Sequence, residues 1–410
     1  MPWRVLGQSL GFPNHDQELW WLHTAPYFSR LLIQYGYETH SQYQHLSFYH
    51  RHILPVLGPF IRPGTTPSYP SVLGPEGYPF ELSVNFQKGR GVVRLACEPI
   101  GEFAGTEHDP LNQFKGGELV GKLAHLNPNV DVRWFNYFSS QLSLTREEAN
   151  TATRHLIPCL QHTNVVAVDL QDGEIVPKGY FFLMPKSVVT GISTSALALN
   201  AMERLDAGFE PSLSVLRQFL SPYFDTNVSG SANPQAFSLA FDCVEPRKSR
   251  LKLYVVSRDI CMENIRALWT AGGRLNDPTT LRGLTIAEKL WSLLGFKDTV
   301  YSRMTMEQLP LQVNYGMKSG SSAIKPQLYL PLQDTTDELV ADALTEFFKY
   351  LEWEGLASSY KDDLVSNFPN RESMKTTSNV QHWIAFSYTE QAGVYLTVYY
   401  QAVGGNIGRL

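Results

Sequence analysis

"KSRLKLYVVS", residues 248–257, alternates Arg250, Lys252 and Tyr254 with Leu251, Leu253 and Val255. Alternation with a period of two is the mark of a β-strand with unlike faces. One face carries two cations and a phenol and the other is wholly apolar, so the fold turns on which face points inward.

Four other regions of the chain pair up in the same way. "FELSVNF" and "GVVRLAC" flank "QKGR", and "NVVAVDL" and "KGYFFL" flank "QDGEIVP". "AFSLAFDC" precedes "RLKLYVV", "LQVNYG" precedes "KPQLYL", and "WIAFSYT" precedes "GVYLTVYY". Five hairpins beginning near residues 80, 164, 236, 311 and 383 make ten strands at roughly even intervals. Helical sequence lies between them, as in "TREEANTATRHLIPCL", "ISTSALALNAMERL" and "TIAEKLWSLLG". In "TTDELVADALTEFFKYLEWEG", Leu339, Ala343, Phe347 and Leu351 repeat at helical spacing, Thr335 and Glu338 fit a capping box, and Gly355 is the expected stop. The first 60 residues read as helices in which Trp20 and Trp21 pack, as Trp353 does later, and a Pro/Gly-rich loop follows.

Helices after nearly every hairpin must bury their apolar stripes on the outside of the sheet. Leu251, Leu253 and Val255 then face the helices, and Arg250, Lys252 and Tyr254 face a lumen. The other hairpins keep this parity. Glu81, Ser83 and Asn85 alternate with Leu82, Val84 and Phe86; Arg94 lies between Val93 and Leu95; Lys178 and Tyr180 alternate with Gly179 and Phe181. Gln327 and Tyr329 alternate with Leu328 and Leu330, as Tyr395 and Tyr399 do with Leu396 and Val398. On one strand alone a solvated polar face is the simpler reading, but five hairpins with one parity favour a polar, aromatic interior. Four cations converging in a low-dielectric space are costly without a compensating anion. An anionic ligand is therefore expected, and pyrophosphate suits several converging cations.

The 410 residues carry a net charge of -5 with 18% charged residues, which argues against a nucleic-acid surface or a disordered acidic tail. Cys97, Cys159, Cys243 and Cys261 are far apart without CxxC spacing, which favours reduced thiols and a cytoplasmic protein. The N-terminus lacks a signal-peptide pattern, and no apolar run approaches the roughly 18 residues of a membrane span. "GRGVVRLA" and "TAGGRLN" match no phosphate loop. His50 and His52, two apart on a helix, share no face and are expected to pack or be exposed.

Taken in order, "PFELSVNF", "VVRLACEPIGEF", "PKGYFF", "RLKLYV", "KPQLYLPL" and "GVYLTVYYQ" make the chain resemble the fungal aromatic prenyltransferases of the dimethylallyltryptophan synthase type over nearly its whole length. The resemblance implies an α/β (α+β) fold: a ten-stranded antiparallel β-barrel ringed by helices and built from ααββ units, the ABBA fold. It implies one domain over 1–410, with N-terminal helices and a loop at 1–75 and five repeats at 76–402. It also implies that Arg94, Lys178, Arg250 and Lys252, assisted by Gln327, bind the diphosphate of dimethylallyl diphosphate. Tyr180, Tyr254, Tyr329, Tyr395 and Tyr399 would shield the allylic cation, and Glu81 would accept the indole N–H. Some tryptophan-modifying relatives carry a lysine on the strand before K-x-Y as proton acceptor. "NVVAVDL" has none, only Asp169 near its end, so no final base is assigned.

Magnesium-dependent terpene enzymes use motifs such as DDxxD. Asp362 and Asp363 lack the third aspartate and fit a solvated helix end, so catalysis without metal or other cofactor is expected. "GFPNHDQELWWLHTAP" and "YHRHILPVLGPFIRPG" are most similar to members that act on tryptophan-containing cyclic dipeptides such as brevianamide F, in indole alkaloid biosynthesis. Free tryptophan or another aromatic acceptor is the alternative, and a noncatalytic barrel binding an anionic ligand is an alternative of another class. A free amino acid needs a cation for its carboxylate, and none is spare beyond the diphosphate set, which favours the neutral dipeptide. Val72 and Leu73, just before Glu81, would contact this acceptor. The expected partners are thus the two small-molecule substrates, with no nucleic acid or membrane; the oligomeric state is left open.

Overall fold

Ten strands close into one antiparallel barrel in a computed structural model of the chain, which describes residues 1–401 apart from 63, 68, 75–76, 171–174, 206–207, 225–232, 302–307, 334, 369–373 and 379. The strands are β1 (Phe80–Gln87), β2 (Arg90–Cys97), β3 (Asn164–Asp169), β4 (Pro177–Phe182) and β5 (Gln235–Asp242). They continue with β6 (Arg250–Ser257), β7 (Leu311–Lys318), β8 (Lys325–Pro331), β9 (Gln381–Thr389) and β10 (Gly393–Tyr400). Each strand pairs with its neighbours in sequence, and β1 closes on β10 with Ser83 opposite Tyr399. The domain boundary at 75–76, the end point 402 and part of the second hairpin's turn, 171–174, fall outside the described residues.

The alternation resolves as the sequence predicts. Leu251, Leu253 and Val255 are fully buried in the main core with Leu82, Val84, Phe86, Leu328, Leu396 and Val398. That core lies between the barrel and the helices around it. Phe135 and Phe138, on helix Arg133–Leu142, pack on Phe181 and Phe241 with ring centroids 5.0 and 5.1 Å away, respectively. Phe348 meets Phe86 at 5.5 Å, and Trp269 meets Phe386 at 5.7 Å. Tyr254, Tyr329, Ala240 and Ala385 form a separate small cluster, joined by Tyr180, Trp383 and Tyr399. Two apolar systems, one outside the sheet and one inside, are the structural meaning of the alternation.

Helix boundaries correct two expectations. The cap of helix Asp337–Tyr350 is Thr336, which accepts from the Leu339 N–H, and the expected capping box at Thr335 does not form. Nor is Gly355 the stop, because it lies inside the next helix, Glu354–Asn367. The first helix instead ends at Glu352, whose φ of 59° is left-handed. The Glu352 N–H donates to the Lys349 carbonyl and the Trp353 N–H to that of Phe348. These are the two bonds of a Schellman ending, and Trp353 stacks on Phe348 at 5.9 Å to supply its apolar contact. Trp20 and Trp21 are buried as expected, and Trp353 is half-buried. His50 packs on Phe12 and Trp21, and His52 on Phe48, in agreement with packing roles. Among the described residues, no helix is long and apolar enough to cross a membrane.

Gly179 shows how closely barrel and helices approach. A Cβ there would stand 2.8 Å from the Phe241 ring and 3.0 Å from that of Phe135. Gly179→Val should therefore destabilise the protein by about 1–3 kcal/mol through overpacking, read as a lower denaturation midpoint with unchanged slope. An unaltered midpoint would show that this interface yields freely.

Candidate active site

Val72, Leu73, Glu81, Arg94, Lys178, Tyr180, Tyr254, Tyr329 and Tyr399 line one cavity inside the barrel. Its lining mixes phenols and aliphatic side chains with a few charged groups, the composition of a small-molecule site. Arg250, Lys252, Gln327 and Tyr395 are not on its wall. Arg250 and Lys252 instead belong to the hairpin-turn end, close enough to Lys178 to perturb its ionisation.

That end is denser in charge than the sequence reading supposed. Lys178 Nζ lies 2.5 Å from Asp169, and Arg94 Nε lies 3.0 Å from the same carboxylate. The Arg94 hydrogen bond proper runs from Nη2 at 3.2 Å. Arg250 grips Asp242 with Nε at 2.7 Å and Nη2 at 2.8 Å. The four cations are thus partly neutralised by Asp169 and Asp242, which corrects the expectation of an uncompensated cluster. Asp242 could have been found by parity, since it follows Ser238 and Ala240 on the inner face and pairs in register with Lys178. Asp169 was visible in "NVVAVDL", but its partner Arg94 lies 75 residues away and only the β2–β3 register unites them.

The ionisation states follow from burial and neighbours. Burial, with Arg94 adding to it, pushes Lys178 down to about 8. Burial, with Arg250 and Lys178, pushes Lys252 down to about 7. Burial opposes ionisation of Asp169, but Arg94 and Lys178 hold it at about 2, so it is ionised at neutral pH. Gln327 is buried, and its carboxamide oxygen accepts from Asn314 at 3.0 Å and from the Tyr329 hydroxyl at 3.4 Å.

Between the ends runs an arc of phenols. Tyr180 and Tyr254 have ring centroids 5.9 Å apart, Tyr254 and Tyr329 5.8 Å, and Tyr329 and Tyr399 6.1 Å. Tyr395 lies instead under the Arg94 guanidinium at 5.4 Å. Burial raises the pKa of every one of these phenols, so all are neutral at ordinary pH. Trp383, also on the wall, is opposite Tyr399 and shares the inner face with Ala385, so the alternation of "WIAFSYT" with Ile384 and Phe386 outward could have found it.

Among the cations Arg94 comes nearest to Glu81 by register, two residues along β2 from its partner Ala96 and roughly 7–8 Å away on the diagonal, whereas Lys178 is farther. The register neighbours of Glu81 run through Ala96 and Ala167 to Lys178, three strand spacings and roughly 14 Å along the wall. Burial alone pushes its carboxyl up to about 8, and it has no hydrogen bond or ion pair among the described residues. Among the described residues, no group of three His, Cys, Asp or Glu side chains is placed to hold a metal ion. Asp362 is exposed on helix Glu354–Asn367.

Comparison with known proteins agrees with this architecture. The signature of the tryptophan dimethylallyltransferase family matches residues 16–363. The indole diterpene prenyltransferase anaPT of Neosartorya fischeri is 52% identical over 411 residues, covering 100% of this chain and 93% of the relative. Its crystal structure superposes with a TM-score of 0.92 at 51% identity, covering 100% of both chains. A tryptophan dimethylallyltransferase of Arthroderma otae is 33% identical over 98% of this chain and 91% of its own. The structure of NotF in complex with brevianamide F and DMSPP superposes with a TM-score of 0.86 at 29% identity, covering 98% of each chain. The chain belongs to the tryptophan dimethylallyltransferase family and is an aromatic prenyltransferase of indole compounds.

Proposed function

We propose that the protein transfers a dimethylallyl group from dimethylallyl diphosphate to the indole of a neutral, tryptophan-containing cyclic dipeptide of the brevianamide F kind, without a metal ion. The observation that carries this reading is the polarity of the cavity. Arg94 and Lys178, the cations on its wall, both belong to the end with Asp169, and Glu81 holds the other pole. A free amino acid would bring a carboxylate to that pole with no cation to meet it. A diketopiperazine brings none, and brevianamide F is bound by the related NotF.

The donor's diphosphate lies among Arg94, Lys178, Arg250 and Lys252, with Gln327 nearby, and takes up the electron pair when its C1–O bond breaks. Fixed side-chain cations supply the charge that magnesium supplies elsewhere. The allylic cation is flanked by tyrosine faces, each contact contributing about 0.5–2 kcal/mol. Because the phenols are neutral, none captures it. The barrel wall keeps out water that would do so. Glu81 accepts the indole N–H, orients the ring beside Val72 and Leu73, and stabilises the positive charge that spreads to nitrogen as ring carbon attacks. A cytoplasmic setting belongs to the same proposal and is supported by the free thiols of Cys97, Cys243 and Cys261.

Incubation with dimethylallyl diphosphate and brevianamide F in the presence of a chelator should give a product heavier by one C5H8 unit in mass spectrometry. Prenylation of tryptophan alone would move the acceptor to the free amino acid, and activity regained only with magnesium would overturn the metal-free mechanism. Glu81→Gln should lower turnover on the order of 100-fold while donor binding persists, and near-normal turnover would remove Glu81 from the chemistry.

Donor binding should also depend on pH. Lys252 and Lys178 ionise at about 7 and about 8 in the empty barrel, and a bound diphosphate favours their charged forms. Binding therefore takes up protons, and affinity falls as pH rises from 7 to 9, by up to about tenfold per lysine for each unit crossed. Lys252→Arg should flatten this dependence and Lys252→Ala should weaken binding throughout, as measured by tyrosine-fluorescence titration. Equal affinity at pH 7 and 9 in the unaltered protein would place both lysines outside the donor site.

A further inference from the structure

Glu98, the residue after β2, is a completely buried carboxylate outside the cavity. Four donors converge on it. Its Oε1 accepts from the Tyr69 hydroxyl at 2.9 Å and pairs with His162 Nδ1 at 2.9 Å. Its Oε2 accepts from the Ser71 hydroxyl at 2.7 Å and from the Val72 backbone N–H at 3.0 Å. The Ser71 hydroxyl in turn accepts from the Leu73 N–H at 3.2 Å. Burial would raise the Glu98 pKa, yet His162, Ser71 and the Val72 N–H together hold it below the ordinary carboxylate value.

These bonds have a direction. His162 fixes the carboxylate from the strand side, two residues before β3, while the other three partners belong to the segment 69–72. Val72 is held directly and Leu73 through Ser71, and both side chains line the cavity that Glu81 lines. The Tyr69 hydroxyl also lies 3.2 Å from the Gln161 carbonyl and from His162 Nδ1, and its ring packs with Ile100 and Ala104. The Tyr69 end is thus anchored apart from Glu98, while Ser71 and Val72 meet the carboxylate directly. The Ser71 N–H to Gly77 carbonyl bond at 2.9 Å ties the segment to the approach to β1. A buried ion is expensive to maintain and is tolerated where its bonds fix a geometry.

We infer that Glu98 is a positioning residue for the acceptor: through Ser71 and the Val72 N–H it sets the height of Val72 and Leu73 opposite Glu81, and so the ring atom presented to the prenyl cation. Neither Glu98 nor Ser71 touches substrate. The inference rests on the proposal that the acceptor lies against Val72 and Leu73, and it deepens that proposal by naming what fixes the wall.

The test compares Ser71→Ala, Glu98→Gln and, as a reference for the wall itself, Leu73→Ala, with both substrates varied and the products resolved by chromatography. Ser71→Ala keeps the carboxylate paired with His162, Tyr69 and Val72, so it remains informative if Glu98→Gln does not fold. It should raise the acceptor KM by about tenfold, leave the donor KM within about twofold, and broaden the distribution of product isomers. A merely structural role would lower stability without this split. If Leu73→Ala raises the acceptor KM and folded Ser71→Ala changes neither KM nor products, the positioning role is overturned and the acceptor site stands. If Leu73→Ala itself leaves acceptor KM and products unchanged, the acceptor does not lie there, and both fall.

Discussion

The sheet's apolar face must be its outer face, because the helices between the hairpins have nowhere else to bury their own apolar stripes. With Leu251, Leu253 and Val255 committed to that interface, the pleat sends Arg250, Lys252 and Tyr254 inward without further choice. A one-residue slip would put leucines in the lumen and cations under the helices, so burial on the outside enforces polarity within. The polar interior is a consequence of the helical layer, and the chemistry occupies a space that packing created.

Most of the barrel was legible because it is a local property. Alternation within "RLKLYV" or "GVYLTVYY" is complete in eight residues, and hairpin order gives neighbours without long-range pairing to guess. The inner phenols and cations were legible by the same parity. What lay hidden depends on register between strands distant in sequence, as with Asp169 between Arg94 and Lys178, or on loops, as with Glu98 beneath Ser71. Trp383 was legible too, because the register irregularity of β9 lies before it and "WIAFSYT" alternates without a break from Trp383 onward. The ending at Glu352 was invisible for another reason: its left-handed turn is supported by Trp353 on Phe348, whereas sequence rules look for glycine.

The two poles of the cavity need opposite treatments of charge. In the proposed reaction negative charge appears at one as the donor ionises, where the clustered cations would meet it without reorganisation. At the other, positive charge would spread into an indole beside the carboxyl of Glu81, which has no hydrogen bond or ion pair among the described residues. A single environment could not favour both, and Glu81 and Lys178 lie three strand spacings apart around the barrel wall. In the empty cavity Glu81 is itself close to neutral, which lowers the cost of burying it before the acceptor arrives.

Asp169 and Asp242 compete with a diphosphate, since Asp169 pairs with Arg94 and Lys178 and Asp242 with Arg250. Their effect on the lysines works the other way. Arg94 and Arg250 depress the ionisation of both lysines, Lys178 adds to the effect on Lys252, and Lys252 already falls to about 7 with Asp242 as the group that raises it. Lys178 is raised in the same way by Asp169 and Asp242. Without these carboxylates burial and the neighbouring cations would push both lysines lower still, and so weaken the site's attraction for the donor. The carboxylates therefore preserve the charge of the clamp, at the cost of part of its field.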